Sequence, residues 1–362
     1  MSVRGNGAAS ELRTDPRDDA AAAGLRYVED GEPGFSRRRR GKGFEYRGVR
    51  GEPLTDPAAR ERIASLAIPP AWREVWICPD ANGHLQATGR DEAGRKQYVY
   101  HPAFTALRDA AKFSRLTAFG EVLPRVRRHV RRDLKRDTLD RTRLVAAAVR
   151  LLDTTLIRVG NPAYAKQNGS YGVTTLRRKH VRLNGSELDL RFRGKSGEKH
   201  ALTLVDEELA AVVRDTQELP GYELFRYLDA EGVRQTVDSR DVNEYLAQVS
   251  GDDVTAKDFR TWGGTVATAA SLHATGLSAS EATDLSEAKL KRVLNDAICA
   301  AAETLGNTPA VCRQSYVHPA LIERFLAGDF YRAYDASLSR ARSSRRRELK
   351  LHEAATLEFL RE

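Results

Sequence analysis

Hydrophobic and polar residues alternate in short runs between about residues 24 and 104, and a period of two favours β-strands. The clearest runs are EVWICPD, ANGHLQATGR and KQYVYHP. Asn82-Gly83 predicts a hairpin turn between the first two runs, and DEAGRK at 91–96 predicts another turn. A short helix is expected over 56–67, before IPPAW. This part of the chain therefore predicts a small domain of mixed strands and helices.

The pattern becomes helical from about residue 105. Six residues within 139–159 recur at helical spacing, which predicts an amphipathic helix with Arg158 near its end. They are Leu144, Ala148, Leu151, Leu152, Thr155 and Val159. Further helices are expected over 206–215, 240–249, 256–272 and 279–304, and the final helices follow Tyr316.

A strand-like segment interrupts the helices at 179–205. Its sequence, KHVRLNGSELDLRFRGKSGEKHALTLV, predicts two hairpins and hence a three-stranded sheet. Asn184-Gly185 marks the first turn. The second turn, GKSGEK, carries Lys195.

Two prolines divide the stretch LGNTPAVCRQSYVHPALIERF. Pro309 and Pro319 both suit the first turn of a helix, where a missing N–H costs nothing. We therefore expect a short helix over 309–317, ending before Pro319, with Tyr316 in its last turn.

Three segments follow from these patterns. Residues 1–23 are rich in Ala, Gly, Asp and Arg without periodicity, which predicts a disordered tail. Residues 24–104 form a β-rich domain, and residues 105–362 form a larger, mainly α domain that contains the three-stranded sheet. The predicted fold class is α+β.

Charge is the most informative bulk property. The 362 residues carry 59 Lys and Arg against 50 Asp and Glu, a net charge of +9, which favours a polyanionic partner. The basic residues concentrate in three runs, at 35–44, 125–150 and 339–350. One such run is often a solvated helix face, but three together favour phosphate contacts.

The remaining bulk properties exclude several classes of protein. No run of 18 or more apolar residues suggests a membrane span. The N-terminus lacks the apolar core of a signal peptide, so we expect a cytoplasmic protein. The three cysteines are widely spaced and form no CxxC, which argues against zinc and against a disulfide framework.

Four short motifs carry candidate chemistry: Arg158 in LIRVGN, Lys195 in RFRGKSGEKH, Arg260 in KDFRTWGG and Tyr316 in NTPAVCRQSY. In order, context and approximate spacing they resemble the active site of type IB DNA topoisomerases. The resemblance runs from about residue 25 to the end. The segment IPPAWREVWICPDANGHLQATGRDEAGRKQYVYHP resembles the DNA-clamping domain of the bacterial members.

The residue types suit the reaction that this resemblance implies. A phenol, here Tyr316, can attack phosphorus and form a phosphodiester similar in energy to the DNA linkage that it replaces, so neither ATP nor hydrolysis is needed. Arg158 and Arg260 can donate to the non-bridging oxygens of the transition state. Lys195 is the candidate acid for the departing 5′-oxygen. The resemblance implies a 3′-phosphotyrosine product, with no metal and no cofactor.

Asn307 departs from one family pattern. Eukaryotic and viral members have His at the corresponding position, whereas some bacterial members have Asn. An amide can still donate a hydrogen bond to a phosphate oxygen, but it supplies no titrating proton. Because Asn307 precedes Thr308-Pro309, it could instead form part of a helix N-cap.

Each of the other four residues also has an ordinary structural explanation. Arg158 could be a cation at a helix end, and Lys195 a solvated hairpin lysine. Arg260 could pair with Asp258, and Tyr316 could be a core aromatic. The order of the four motifs favours catalysis over these alternatives.

Double-stranded DNA is the expected partner. Candidate contacts from the GRKQYVY strand are Lys96, Gln97, Tyr98 and Tyr100, although the tyrosines could instead belong to the core. Lys257, one helical turn before Arg260, is a further candidate, and so are Arg177 and Arg178.

The interpretation is a type IB DNA topoisomerase whose two domains form a clamp around DNA. By resemblance the enzyme is a monomer associated with the nucleoid. The nearest alternative is a tyrosine recombinase, but recombinases begin their HxxR motif with His, where this chain has KDFR, and their N-terminal domains are usually helical. A non-catalytic architectural DNA-binding protein would account for the basic runs but not for the four ordered motifs.

Overall fold

A computed structural model describes residues 15–41, 43–344 and 348–362, with the side chain of Thr283 left out. The chain divides after Lys112 into two compact units. Strands dominate the first unit and helices dominate the second, so the predicted α+β class is confirmed.

The first unit is built on one antiparallel sheet in the order β2-β1-β3-β4-β5. Its helices and strands are α1 (Pro16–Ala22), β1 (Phe35–Arg40), β2 (Gly43–Arg47), α2 (Pro57–Ser65), β3 (Arg73–Ile77), β4 (Leu85–Arg90) and β5 (Lys96–Tyr100). Ile63 of α2 packs on Val75, Ile77 and Ala87 of the sheet. The predicted hairpins, turns and short helix are therefore present in this unit.

The predicted disordered tail is corrected in part. Residues 1–14 lie outside the described residues, but α1 occupies Pro16–Ala22. The carboxylate of Asp15 accepts a hydrogen bond from the Arg17 amide, and Pro16 begins the helix. An N-cap and a proline at the first position thus start a helix where the composition alone suggested disorder.

One arginine of the basic run at 35–44 has a structural task. The Arg37 side chain is buried and donates to the carbonyl oxygens of Ile68, Pro69 and Trp72 at 3.0, 2.8 and 2.9 Å. It fixes the IPPAW loop after α2. Lys42 of the same run lies outside the described residues.

The long helix α3 (Pro102–Leu134) begins in the first unit and ends in the second. The second unit continues with α4 (Arg141–Thr155), α5 (Pro162–Asn168), β6 (Val181–Asn184), β7 (Glu187–Arg193), β8 (Lys199–Val205), α6 (Glu207–Glu218), β9 (Arg226–Leu228), β10 (Arg234–Thr236), α7 (Ser239–Ser250), α8 (Ala256–His273), α9 (Ala279–Thr283), α10 (Glu287–Leu305), α11 (Pro309–Tyr316), α12 (Pro319–Leu326), α13 (Phe330–Ser343) and α14 (Leu351–Leu360).

The three-stranded sheet is confirmed, in the order β6-β7-β8, with Gly185 at φ +61° in its first turn. The helix predicted over 279–304 is wrong in one respect, because it is two helices. Ser286 interrupts it by capping α10, where its hydroxyl accepts from the Lys289 amide at 3.4 Å.

Candidate active site

Tyr316 is the last residue of α11, as predicted. Thr308 caps this helix by accepting from the Val311 amide at 3.4 Å, and Pro309 occupies its first turn. Thr265 of α8 secures the chain where the helix ends. Its buried hydroxyl accepts from the His318 amide at 3.1 Å and shares its proton between the carbonyl oxygens of Thr261 at 2.9 Å and Tyr316 at 3.1 Å.

Gly264 allows α11 to lie directly on α8. A β-carbon at this position would come within 2.7 Å of the Tyr316 carbonyl oxygen and 2.9 Å of the Tyr316 β-carbon. A backbone atom cannot move aside to relieve so close a contact, whereas the end of a flexible side chain can. Gly264 and Thr265 are therefore site residues that sequence reasoning missed, although both lie within the RTWGGT stretch around the Arg260 motif.

Arg158 follows a helix rather than ending one, which corrects the prediction. The apolar pattern continues to Val159, but α4 ends at Thr155 because Leu156 turns to φ +55° and donates its amide to the Leu152 carbonyl oxygen at 2.8 Å. The Val173 amide then donates to the Arg158 carbonyl oxygen at 2.8 Å. Arg158 is thus held in an irregular segment, and the explanation as a helix-end cation is wrong.

Arg260 is buried on α8, with 3% of its surface exposed. Its guanidinium donates to the carbonyl oxygen of Leu156 and, at 2.9 Å, to that of Leu305. Asp258 instead accepts from Thr255 and does not pair with Arg260. Two fixed carbonyl groups therefore orient the guanidinium.

Asn307 lies beside Arg158. Its side-chain oxygen accepts a hydrogen bond from the Arg158 guanidinium. The side-chain nitrogen of Asn307 and the Nε of Arg260 are buried, and neither has a hydrogen-bond partner among the residues that the structure describes. Since the N-cap of α11 is Thr308, Asn307 is not needed for that purpose.

We call Arg158, Arg260, Asn307 and Tyr316 the arginine–tyrosine cluster. Cζ of Arg260 lies 5.0 Å from the centroid of the Tyr316 ring. Burial acts to raise the pKa of the phenol, but the positive charge of Arg260, with those of Arg158 and Lys257, lowers that pKa below its ordinary value. The cluster therefore favours the phenolate that a nucleophile needs.

Lys195 is exposed in a 3₁₀ turn, Lys195–Gly197, between β7 and β8. Among the described residues, no hydrogen bond or ion pair joins it to the arginine–tyrosine cluster. The structure thus brings four of the five predicted catalytic residues into contact and presents the fifth on a solvent-exposed hairpin turn.

The candidate DNA strand β5 has two different faces. Lys96, Tyr98 and Tyr100 alternate on the exposed one, and each tyrosine is 38% exposed. The two rings stack with their centroids 6.0 Å apart. The Lys96 ammonium pairs with Asp30 at 2.5 Å. Both tyrosines are therefore accessible rather than core residues.

Gln97 lies on the other face of β5. Its side-chain amide donates to the Asp91 carboxylate at 3.0 Å, within the turn that precedes the strand. The alternation of the strand separates Gln97 from the two tyrosines. The four candidate contacts thus do not share one surface.

In the second unit, Lys257 is exposed on the first turn of α8, close enough to influence the Tyr316 phenol. Arg177 is half-buried, with its guanidinium 5.3 Å from the Tyr171 ring centroid. Arg178 is exposed beside it.

Most of the basic residues at 125–150 form ion pairs within the fold. Their ion pairs are Arg127 with Asp153 and Glu353, Arg131 with Glu348, Arg132 with Asp133, Lys135 with Glu208, Arg136 with Asp140, Arg141 with Asp241 and Glu244, Arg143 with Asp215 and Arg150 with Asp206. In the run at 339–350, residues 345–347 lie outside the described part of the chain.

Within the described ranges, no group of three or more His, Cys, Asp or Glu side chains could hold a metal ion. No helix of the same residues is both long and apolar enough to cross a membrane.

Comparison with known families agrees with this geometry. Residues 101–338, more than half of the chain, match the catalytic core of eukaryotic DNA topoisomerase I, and residues 43–91 match the N-terminal domain of bacterial DNA topoisomerase IB. A DNA topoisomerase 1B of Acanthamoeba polyphaga mimivirus is 33% identical over 272 residues, which cover 73% of this chain and 79% of the relative.

More distant relatives come from poxviruses. The DNA topoisomerase I of Monkeypox virus and the DNA topoisomerase 1B of Vaccinia virus (strain Copenhagen) are each 23% identical over 277 residues, covering 74% of this chain and 82% of the relative. These matches define the class of the protein as a DNA topoisomerase. The chain belongs to the type IB DNA topoisomerase family.

Proposed function

We propose that this enzyme relaxes positive and negative supercoils by cutting one DNA strand through a transient 3′-phosphotyrosyl linkage and rejoining it, without ATP or a metal ion. The arginine–tyrosine cluster is the observation that supports this most strongly. It combines a phenol of lowered pKa with two guanidinium groups and two buried donors, the Arg260 Nε and the Asn307 amide nitrogen, that lack partners among the described residues.

The orphaned donors favour a phosphate as the ligand. A buried N–H without an acceptor is costly, so a site that retains two of them is suited to an anion that supplies acceptors. The scissile phosphate has two non-bridging oxygens, and its transition state gathers negative charge on them. Arg158, Arg260 and Asn307 would donate to these oxygens, which places fixed positive charge where the charge develops.

The chemistry is a balanced exchange of two phosphodiesters. The Tyr316 oxygen attacks phosphorus and loses its proton to water, the P–O5′ bond breaks, and the departing 5′-oxygen takes a proton from Lys195. In the reverse step the 5′-hydroxyl attacks and the phenolate leaves. Because the number of phosphodiester bonds is unchanged, torsional strain in the DNA is a sufficient driving force.

The two parts of the chain would divide the work. The β-rich segment 24–104 would hold duplex DNA through Tyr98 and Tyr100, and the segment 105–362 would carry out the reaction. With Lys257, Arg177 and Arg178 as phosphate contacts, affinity falls steeply as salt rises. The working state is a monomer associated with the nucleoid.

Relaxation of a supercoiled plasmid in EDTA without ATP tests the proposal. The wild-type enzyme should relax plasmids of either supercoil sign, and Tyr316→Phe should bind DNA but leave both unchanged. Relaxation by Tyr316→Phe would show that another group is the nucleophile. Tight DNA binding with no relaxation by the wild type would favour a recombinase or an architectural protein instead.

A further inference from the structure

His200 is the aromatic residue that connects the Lys195 turn to the Asn307 turn. It lies on β8 opposite Phe192 of β7, on the inward face of the three-stranded sheet. The two rings stack with centroids 4.8 Å apart and planes 15° from parallel. Stacking against a buried phenylalanine fixes the position of the imidazole.

Two glycines enclose this ring. A β-carbon at Gly194 would come within 2.5 Å of the Nε2 of His200, and one at Gly306 would come within 2.8 Å of its Cε1. Gly194 immediately precedes Lys195, and Gly306 immediately precedes Asn307. The imidazole is therefore wedged between the backbones that carry two of the candidate catalytic residues.

The close approach of His200, rather than the backbone conformation, accounts for a glycine at position 194. Its φ of −91° and ψ of −164° are open to any residue, so the backbone conformation itself does not require glycine. The close neighbours of its missing β-carbon are the Nε2 and Cδ2 of His200. Gly306 differs, because its φ of +58° at the end of α10 favours glycine for a second reason.

The surroundings of the ring favour its uncharged form. Burial lowers the pKa of His200, and the positive charges of Arg158 and Arg260 lower it further, against the opposing effect of Glu198. Among the described residues, the ring nitrogens make no hydrogen bond. A neutral imidazole adds no further positive charge to a pocket that holds two guanidinium groups.

We propose that His200 is a positioning residue for Lys195: its ring, wedged between Gly194 and Gly306, sets the distance of the Lys195 turn from the arginine–tyrosine cluster. The side chain of Lys195 is exposed and has no partner among the described residues. The His200 ring therefore holds the turn in a position that contacts of Lys195 itself do not fix. This inference rests on the proposed function, in which Lys195 protonates the 5′-oxygen.

The test compares two leaving groups in single-turnover cleavage of the same DNA. One substrate has the natural 5′-oxygen at the scissile phosphate, and the other substrate has a sulfur atom in place of that oxygen. A thiol has a pKa near 8.5, far below that of an alcohol, so a thiolate departs without a proton from Lys195. We expect Lys195→Ala to cleave the oxygen substrate about 10²–10⁴ times more slowly and the sulfur substrate at nearly the wild-type rate.

His200→Ala should behave in the same way. Because a misplacement of about 1 Å can cost roughly 10²-fold, we expect a loss of about that size with oxygen and nearly none with sulfur. Gly194→Ala, which displaces the ring instead of removing it, should show the same pattern. In the double variant Gly194→Ala/His200→Ala the added methyl group meets no ring, so its rate should equal that of His200→Ala alone.

The variants separate the possible failures. If the wild type cleaves neither substrate, the proposed function is wrong and the inference falls with it. If Lys195→Ala cleaves the sulfur substrate at the wild-type rate but His200→Ala does not, the inference alone is overturned, since His200 then does not act through Lys195. Oxygen cleavage at the wild-type rate by His200→Ala, or a double variant slower than His200→Ala, would also overturn it.

Discussion

The guanidinium of Arg260 lies over the ring of Tyr316, with Cζ 5.0 Å from the ring centroid. Two carbonyl groups, those of Leu156 and Leu305, hold the guanidinium in place. One arginine thus orients the phenol, lowers its pKa and keeps its Nε without a partner among the described residues. This arrangement links the fold to the proposed chemistry, because the residues that orient Arg260 belong to the turns carrying Arg158 and Asn307.

Replacement of Lys257 should shift the pH dependence of cleavage. Its charge helps to lower the pKa of Tyr316, so Lys257→Ala should raise that pKa and move the rising limb of the rate to higher pH. The measurement is the single-turnover rate against pH at saturating enzyme. Lys289→Ala, an exposed lysine on α10, is the control and should leave the limb in place. If the rising limb is unchanged in Lys257→Ala, or moves to lower pH, the charge of Lys257 does not lower the pKa of Tyr316.

Asn307→Ala should slow cleavage less than Arg158→Ala or Arg260→Ala does. One lost hydrogen bond to a charged group is worth about 1.5–3 kcal/mol, which corresponds to roughly 10- to 10²-fold in rate. Asn307→Asp should be slower still, because it sets a carboxylate against the phosphate and competes for Arg158. Pre-steady-state cleavage at matched DNA occupancy measures both. An Asn307→Asp variant as fast as Asn307→Ala would show that Asn307 does not face the phosphate.

Thr265→Val should reduce cleavage about tenfold, with DNA binding unchanged, because the hydroxyl secures the chain beside Tyr316 and small displacements of a nucleophile are costly. Thr268→Val is a matched control. Thr268 is equally buried on α8, and its hydroxyl donates to Gly264 of its own helix at 2.8 Å. Equal rates for the two variants would mean that the Thr265 hydroxyl does not position the nucleophile.

Arg127→Met should lower the free energy of unfolding by about 3–5 kcal/mol, since Asp153 and Glu353 would be left buried without their cation. Burial acts to raise the pKa of Glu353, but Arg127 lowers it below its ordinary value. Its contribution to stability is therefore present above that ordinary value and is lost as the pH falls through the lowered one.

Denaturant unfolding measures this loss, and the difference between wild type and Arg127→Met should shrink in acid. Arg131→Ala breaks an exposed pair with Glu348 and should cost at most about 1 kcal/mol. Equal losses for the two variants would contradict the structural role of Arg127.

Local sequence patterns predicted the elements that carry the site. Two prolines delimited the helix that ends at Tyr316, and Asn184-Gly185 and GKSGEK marked the turns of the sheet that carries Lys195. These signals are local, so they survive in any tertiary context.

Tertiary contacts were beyond such signals. The predicted end of α4 was too late, because Leu156 continues the apolar pattern of the helix although its backbone adopts a positive φ. The ion pairs of the run at 125–150 could not be predicted from the sequence, because the carboxylates come partly from distant helices, such as Glu353 of α14. The roles of Gly264, Thr265 and His200 likewise depend on which residues meet across helices and strands.

Identification of the protein atom that becomes bonded to DNA tests the tyrosine mechanism most directly. The enzyme would be mixed with a duplex whose cleaved strand loses a short 5′-hydroxyl fragment, and the trapped adduct would be digested and sequenced by mass spectrometry. We expect a 3′-phosphate on the peptide that contains Tyr316, and no adduct with Tyr316→Phe. A nucleotide on another residue, or one attached through its 5′-phosphate, would contradict it.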